Sequence, residues 1–158
     1  MQNLTHPKAI PFIKVDQKSR FSVTPEAIEF LSTLKGKKLG IISIVGKYRT
    51  GKSFIVNRVL LNQSRRGFKV GPTINPCTKG LWIWNQTVKG LNPEHEDMEC
   101  LVIDSEGFAG VDENSNHDSR IFLFALLLSS YFIYNSQGNI DESALSNLSL
   151  IINLAKQI

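Results

Sequence analysis

A chain of 158 residues, 42% apolar and 20% charged, has the length of one domain and enough apolar content for a core. That composition excludes a long disordered tail, a collagen-like repeat and a disulfide-stapled miniprotein. The net charge of +4 conceals an asymmetry: residues 1–70 carry 14 Lys/Arg against 3 Asp/Glu, a balance of +11, and residues 71–158 carry 4 against 11, a balance of −7. A basic half followed by an acidic half suits an anionic partner for the first and a cation for the second, with a solvated basic surface as the plain alternative.

Residues 8–15 read as a short strand, which Pro11 confines to an edge or a strand start. Thr24-Pro25-Glu26 opens a helix with a capping hydroxyl and a proline at its first turn, and the helix runs to about Leu34. The nearly unbroken apolar run Leu39 to Val45, bounded by glycine, predicts a buried parallel strand. A glycine-containing turn and an amphipathic helix from about Ser53 to Leu61 follow. Residues 62–80 are polar and rich in Gly and Pro, the composition of a long functional loop. A strand from Leu81 towards Val88, an acidic turn over 90–97 and a second buried strand, Glu99 to Asp104, come next. Residues 105–119 read as another polar loop, and Ile121 to Leu128 as a helix. Tyr131 to Tyr134 fits either a strand or a continuation of that helix. A last helix begins near Asp141, with Ile151, Ile152, Leu154 and Ala155 on its apolar face. Strands alternating with helices predict an α/β sheet with ligands at the carboxyl ends of its strands.

Gly46-Lys47-Tyr48-Arg49-Thr50-Gly51-Lys52-Ser53 matches G-x-x-x-x-G-K-[ST]. In that pattern the glycines let backbone N–H groups turn in on phosphate oxygens, and the following helix adds its positive end. Lys52 reaches the β- and γ-phosphates and Ser53 ligates Mg²⁺. By average residue frequencies the four fixed positions arise by chance in roughly one in two hundred chains of this length. Here they also sit between a predicted buried strand and a predicted helix. Asp104, ending the second apolar strand, can hold Mg²⁺ through water, and Asp104-Ser105-Glu106-Gly107 fits the D-x-x-G pattern in which the Gly N–H meets the γ-phosphate. A turn-capping Asp is the plain alternative. A hydroxyl for Mg²⁺ must come from the loop between them. Thr73 and Thr78 are the candidates, and Thr78 is preferred because it directly precedes Lys79-Gly80 and the tryptophan-rich strand.

Other chemistries are less well supported. Cys77 and Cys100 stand apart, and His6, His95 and His117 are scattered, so no zinc spacing exists. No aromatic-interleaved basic stripe points to nucleic acid. The run from Ile121 to Tyr134 falls short of the ~20 residues of a membrane span, so membrane association is not supported by this segment. Two unpatterned thiols and a start without an apolar leader predict a cytoplasmic protein.

The P-loop, together with Cys77-Thr78-Lys79-Gly80-Leu81-Trp82-Ile83-Trp84, Asp104-Ser105-Glu106-Gly107 and Leu127 to Ser136, resembles the guanylate-binding proteins, large GTPases of the dynamin superfamily. Atlastins share the layout, but the Tyr-Arg-Thr of the P-loop and Tyr134-Asn135-Ser136 fit the guanylate-binding proteins better. The resemblance runs from about residue 8 to the end. It implies a P-loop NTPase three-layer sandwich with a mostly parallel sheet, a switch I over about 67–80 and a switch II over about 104–119. It implies GTP as substrate and Mg²⁺ as cofactor. Arg49 becomes an internal arginine finger, Thr78 the switch I ligand of Mg²⁺, and Glu106 part of a network that orients the attacking water. Gly107 reports the γ-phosphate. Asp118 is placed near the nucleotide and the dimer face, and a nucleotide-dependent homodimer through the G-domain face is implied.

Two departures stand out. Pro76 occupies a position where the family often has a hydroxyl that helps hold the water, which argues for slow hydrolysis. Neither Arg-Asp nor Asn-Lys-x-Asp, the guanine-reading motifs, occurs in residues 1–158. The expectation is therefore the N-terminal part of a GTPase domain, ending before its last strands and without a helical stalk. The rival expectations are a non-catalytic GTPase-like module that pairs with full-length relatives, and an ATPase of another P-loop branch.

Overall fold

The computed structural model describes residues 6–16, 18, 20–47, 49–63, 67–69, 80–89, 94, 97–105, 115–139, 142, 145, 146, 148, 149 and 153, with only the backbone at 115–118. In chain order its elements are β1 (Ala9–Val15), β2 (Phe21–Val23), α1 (Pro25–Ser32), β3 (Leu39–Gly46), α2 (Lys52–Ile55), β4 (Leu81–Trp84), β5 (Glu99–Ser105), α3 (Ser115–Leu128) and β6 (Tyr131–Asn135). A π-helical stretch, Val56–Leu60, continues α2. The six strands form one sheet in the order β2-β1-β4-β5-β3-β6.

Side-chain alternation along the strands separates two cores. Leu39, Ile41 and Val45 of β3, Leu101 and Ile103 of β5, and Leu81 and Ile83 of β4 face α1 and α3, which contribute Ala27, Ile121, Phe122 and Ala125. Ile44, Val102 and Trp84 face the other way, against Val56 and Leu61 of the P-loop helix and Phe68. Helices therefore cover both faces, as the expected α/β sandwich of three layers requires. On the first face Phe122 meets Phe132 and Tyr134 edge-on, with ring centroids 5.4 and 6.4 Å apart.

The sheet is mixed, and its parallel part is smaller than expected. β3 runs parallel to β5 and β6, while β4 is antiparallel to β5 and β1 is antiparallel to β2 and β4. The reason lies in the connections. A parallel pair needs a crossover, usually helical, whereas β1 and β2 are joined by a short turn in which Asp16 Oδ1 accepts from the N–H groups of Lys18 and Arg20. No helix lies between β4 and β5 among the described residues.

Pro11 fits the expectation of an edge. It pairs with Trp82 of β4 on one side, the β2 ladder on the other side begins only at Ile13, and the β1–β4 register shifts between Pro11 and Ile13. Such an irregularity accommodates a residue that lacks an N–H. β2 was not legible in the sequence. α1 begins as predicted: Thr24 accepts from Ala27 N–H at 3.2 Å, with Pro25 at the first position. Its regular part ends at Ser32, two residues before the predicted end. α3 starts at Ser115, six residues before the predicted Ile121 and inside the expected loop, because polar residues form its first turns ahead of the apolar positions. The segment left open between strand and helix, Tyr131–Asn135, is a strand beside β3. Helical backbone at 142, 145, 146, 148, 149 and 153 agrees with the predicted last helix, whose Ile151, Ile152, Leu154 and Ala155 lie outside the described residues. Among the described residues no helix is long and apolar enough to cross a membrane.

Candidate functional site

β3 delivers its carboxyl end, Gly46, to the start of the P-loop, and β5 delivers Asp104 beside it. Ile44 and Asp104 are register partners in the parallel pair. The loop then turns through Arg49 at φ 60 and Gly51 at φ 83, and α2 begins at Lys52. Arg49 is exposed and is a non-glycine residue in the left-handed region, a strained backbone placement of the kind that clusters at functional sites.

Hydrogen bonds hold the loop from inside. Thr50 Oγ1 donates to the Lys47 carbonyl at 2.9 Å, and Lys52 Nζ donates to the same oxygen at 2.9 Å. The ammonium of Lys52 is thus folded back over the loop, and the residue is only 6% exposed. Gly46 abuts the end of β6. A Cβ built there would stand 1.9 Å from the Asn135 carbonyl oxygen, so only glycine fits. The Asn135 side chain reaches the far side of the loop, where Nδ2 donates to the Thr50 carbonyl at 2.8 Å.

Ser53, on the first turn of α2, donates through Oγ to Asp104 Oδ2 at 2.5 Å. Asp104 is completely buried, and its Oδ1 has no hydrogen-bond partner among the described residues. Burial pushes its carboxyl up to about 6, against the opposing pull of the Ser53 hydrogen bond, the Lys52 charge and the Ser105 N–H. An unsatisfied buried carboxylate oxygen beside a serine hydroxyl is a set of hard oxygen donors. A small divalent cation such as Mg²⁺ suits that set, and its charge would stabilise the ionised carboxylate. Three further buried hydroxyls without a partner among the described residues, those of Ser43, Ser105 and Tyr134, sit at alternate strand positions on the opposite, α3-facing side of the sheet.

Of the residues singled out from the sequence, the structure brings together Gly46, Lys47, Arg49, Thr50, Gly51, Lys52 and Ser53 with Asp104. Tyr48, Thr73, Pro76, Cys77, Thr78, Glu106 and Gly107 lie outside the described residues, as does the side chain of Asp118. Two residues that sequence reasoning passed over take part. Asn135 braces the loop, and Asn57 is buried one turn beyond Ser53. The signal for the first was a polar residue ending an apolar strand, as Asp104 does on β5. The signal for the second was a polar residue on the buried face of a helix.

Residues 18–158 match the family model described as guanylate-binding protein, N-terminal domain. Similar proteins include guanylate-binding protein 1 of Chlorocebus aethiops, 37% identical over 140 residues, which are 88% of this chain and 22% of that protein. Human guanylate-binding protein 2 is 36% identical over 89% of this chain and 23% of its own length. For human guanylate-binding protein 4 the values are 38%, 90% and 21%. The chain thus spans about a fifth of the length of the curated relatives it matches. With its P-loop at the end of a buried parallel strand and an acid on the neighbouring strand, the chain belongs to the guanylate-binding protein family.

Proposed function

We propose that this chain binds GTP together with Mg²⁺ and serves the GTP hydrolysis of a guanylate-binding-type large GTPase. The observation that carries the reading is the contact of Ser53 with Asp104, which joins two motifs 51 positions apart at one part-buried point. The loop backbone from Gly46 to Gly51 would wrap the phosphates. Lys52, already held over the loop by the Lys47 carbonyl, would place its charge on the β- and γ-phosphates. Ser53, Thr78 and Asp104 would hold Mg²⁺, which when bound supplies positive charge to the phosphate oxygens.

Arg49 stands in the loop that would surround the phosphates, and its exposed guanidinium can neutralise charge that develops as the γ-phosphate leaves. Glu106 would orient water through intermediaries, because a carboxylate beside the γ-phosphate is repelled by it. Gly107 would contact the γ-phosphate through its N–H. The family resemblance implies a nucleotide-dependent homodimer through the G-domain face.

Fluorescence titration with N-methylanthraniloyl-GTP and the matching ATP analogue, with and without Mg²⁺, tests the reading. Guanine nucleotide should bind with Mg²⁺, and Ser53→Ala should remove at least about tenfold of the Mg²⁺-dependent gain. In single-turnover hydrolysis Arg49→Ala should be slower by about tenfold or more, with nucleotide affinity kept within about threefold. A folded chain that binds no guanine nucleotide refutes the reading. Capture of a full-length relative by such a chain would then favour the non-catalytic module.

A further inference from the structure

Arg49 is held in a backbone conformation that its residue type disfavours, at φ 60. A residue with a Cβ stays in the left-handed region only where its surroundings fix it there. Two main-chain carbonyls flanking Arg49 are fixed. The Lys47 carbonyl accepts from Thr50 Oγ1 and from Lys52 Nζ, each at 2.9 Å. Both of those bonds arise within the P-loop and the first residue of its helix. The Thr50 carbonyl is held from outside, by Asn135 Nδ2 at 2.8 Å, a donor 85 positions away.

Asn135 is itself fastened where it can deliver that donor. It ends β6 and is the register partner of Gly46, which ends β3. Its main-chain carbonyl lies against Gly46 while its side chain crosses to Thr50, so one residue touches both limbs of the loop. Edge-on ring contacts of Phe132 and Tyr134 with Phe122 tie β6 to α3. The peptide that joins Thr50 to Gly51 is trans, so its N–H points opposite to its carbonyl and away from Asn135. One hydrogen bond therefore orients the whole peptide that follows Arg49. An uncharged carboxamide suits this task. Aspartate of the same shape would set a carboxylate against the carbonyl oxygen, and leucine would offer no donor.

We propose that Asn135 is a positioning residue for Arg49: its amide pins the peptide after Arg49 and keeps the loop in the conformation from which the guanidinium meets charge developing on the phosphates. The proposal rests on the reading above, in which Arg49 neutralises that charge. Without the pin, Arg49 relaxes towards ordinary backbone angles and its guanidinium is displaced. A displacement of about 1 Å is enough to weaken a catalytic contact severely. The loss falls most heavily on the state in which the charge has developed. A loosened loop also binds the ground-state nucleotide less well, but that cost is common to both states and cancels in their ratio.

The test uses the 158-residue chain with Mg²⁺ and N-methylanthraniloyl-GDP, titrated with and without aluminium fluoride, which stands in for the γ-phosphoryl group in transfer. The readout is the ratio of the two affinities. Wild type should gain at least about a hundredfold from the fluoride complex, and Arg49→Ala should lower that gain by about tenfold. Asn135→Leu and the isosteric Asn135→Asp should each lower it by at least about fivefold. Combined with Arg49→Ala, neither should lower it further by more than about twofold, because the group it positions is already gone. Melting curves establish that each variant is folded at the assay temperature. An unchanged gain in the Asn135 variants, or an equal further fall in the Arg49→Ala background, overturns the proposal. So does unfolding of both Asn135 variants at the assay temperature, which would make Asn135 a residue of the fold alone. Wild type that binds no nucleotide, or Arg49→Ala with the gain of wild type, refutes the reading above and takes this proposal with it. Those two samples report that outcome without any Asn135 substitution.

Discussion

Replacing Gly46 by alanine should damage the site more than its one added methyl group suggests. The new Cβ would stand 1.9 Å from the Asn135 carbonyl oxygen, 2.9 Å from its carbon and 3.3 Å from its nitrogen, where ordinary contact begins at 3.4 Å. Separation must therefore grow by 1.5 Å, the difference between 3.4 and 1.9. The obstacle is main chain, held as the last partner in the β3–β6 ladder, and it cannot rotate aside as a side chain could. Gly46 also has φ 150, a conformation costly to any L-residue. Overpacking contributes about 1–3 kcal/mol and the backbone about 1–3 kcal/mol more. Gly36→Ala is the control. Its φ of 80 is also positive, but nothing lies within 4 Å of its Cβ, so only the backbone cost of about 1–2 kcal/mol applies. Urea titration of the two variants should show Gly46→Ala the less stable at unchanged m-value. Because Asn135 must move, its hydrogen bond to the Thr50 carbonyl is lost, and nucleotide affinity should fall at least about tenfold in Gly46→Ala alone. Equal destabilisation by the two substitutions, or unchanged nucleotide binding in Gly46→Ala, would refute the argument that the end of β6 shapes the P-loop.

Phe68→Ala removes a buried ring from among Val56, Leu61 and Trp84 and should cost about 3–5 kcal/mol in urea unfolding, with a red shift of tryptophan emission. A loss under about 1 kcal/mol would mean that residues 67–69 are not part of this core. Glu99 predicts an acid-sensitive fold. Hydrogen bonds from Thr87 and Lys37, and one from Lys89, hold its carboxyl at about 2, below its ordinary 4.5. The native state therefore binds fewer protons than the unfolded chain. The stabilisation is complete above about 4.5 and is lost as pH falls from there towards 2. Melting temperatures measured through that interval should drop more steeply for wild type than for Glu99→Gln, and parallel profiles would exclude the assignment.

Residue patterns alone determined the parts of this protein that depend on local chemistry. The P-loop was legible because four fixed residue types must stand at fixed spacing for backbone N–H groups to face phosphate, whatever surrounds them. β3 and β5 were legible because strands buried on both faces carry nearly continuous apolar runs. α1 was legible from Thr24 and Pro25, whose capping roles act over three residues. Tertiary structure decided what depends on neighbours distant in the chain. The direction of β4 and β5 follows from their connection, and a partly exposed three-residue strand such as β2 has too few residues to show a period. Pro11 is tolerated in β1 because the β2 ladder begins only at Ile13, which leaves Pro11 with a strand partner on one side alone. The roles of Asn57 and Asn135 could not be read from the chain around them. Their amides matter because Phe68 and Thr50 present main-chain groups to them across 11 and 85 positions. The pairing of Ser53 with Asp104 has the same origin. Each residue was readable from its motif, but the hydroxyl of Ser53 meets the buried Asp104 carboxyl only because the parallel register of β3 and β5 sets the two strand ends side by side.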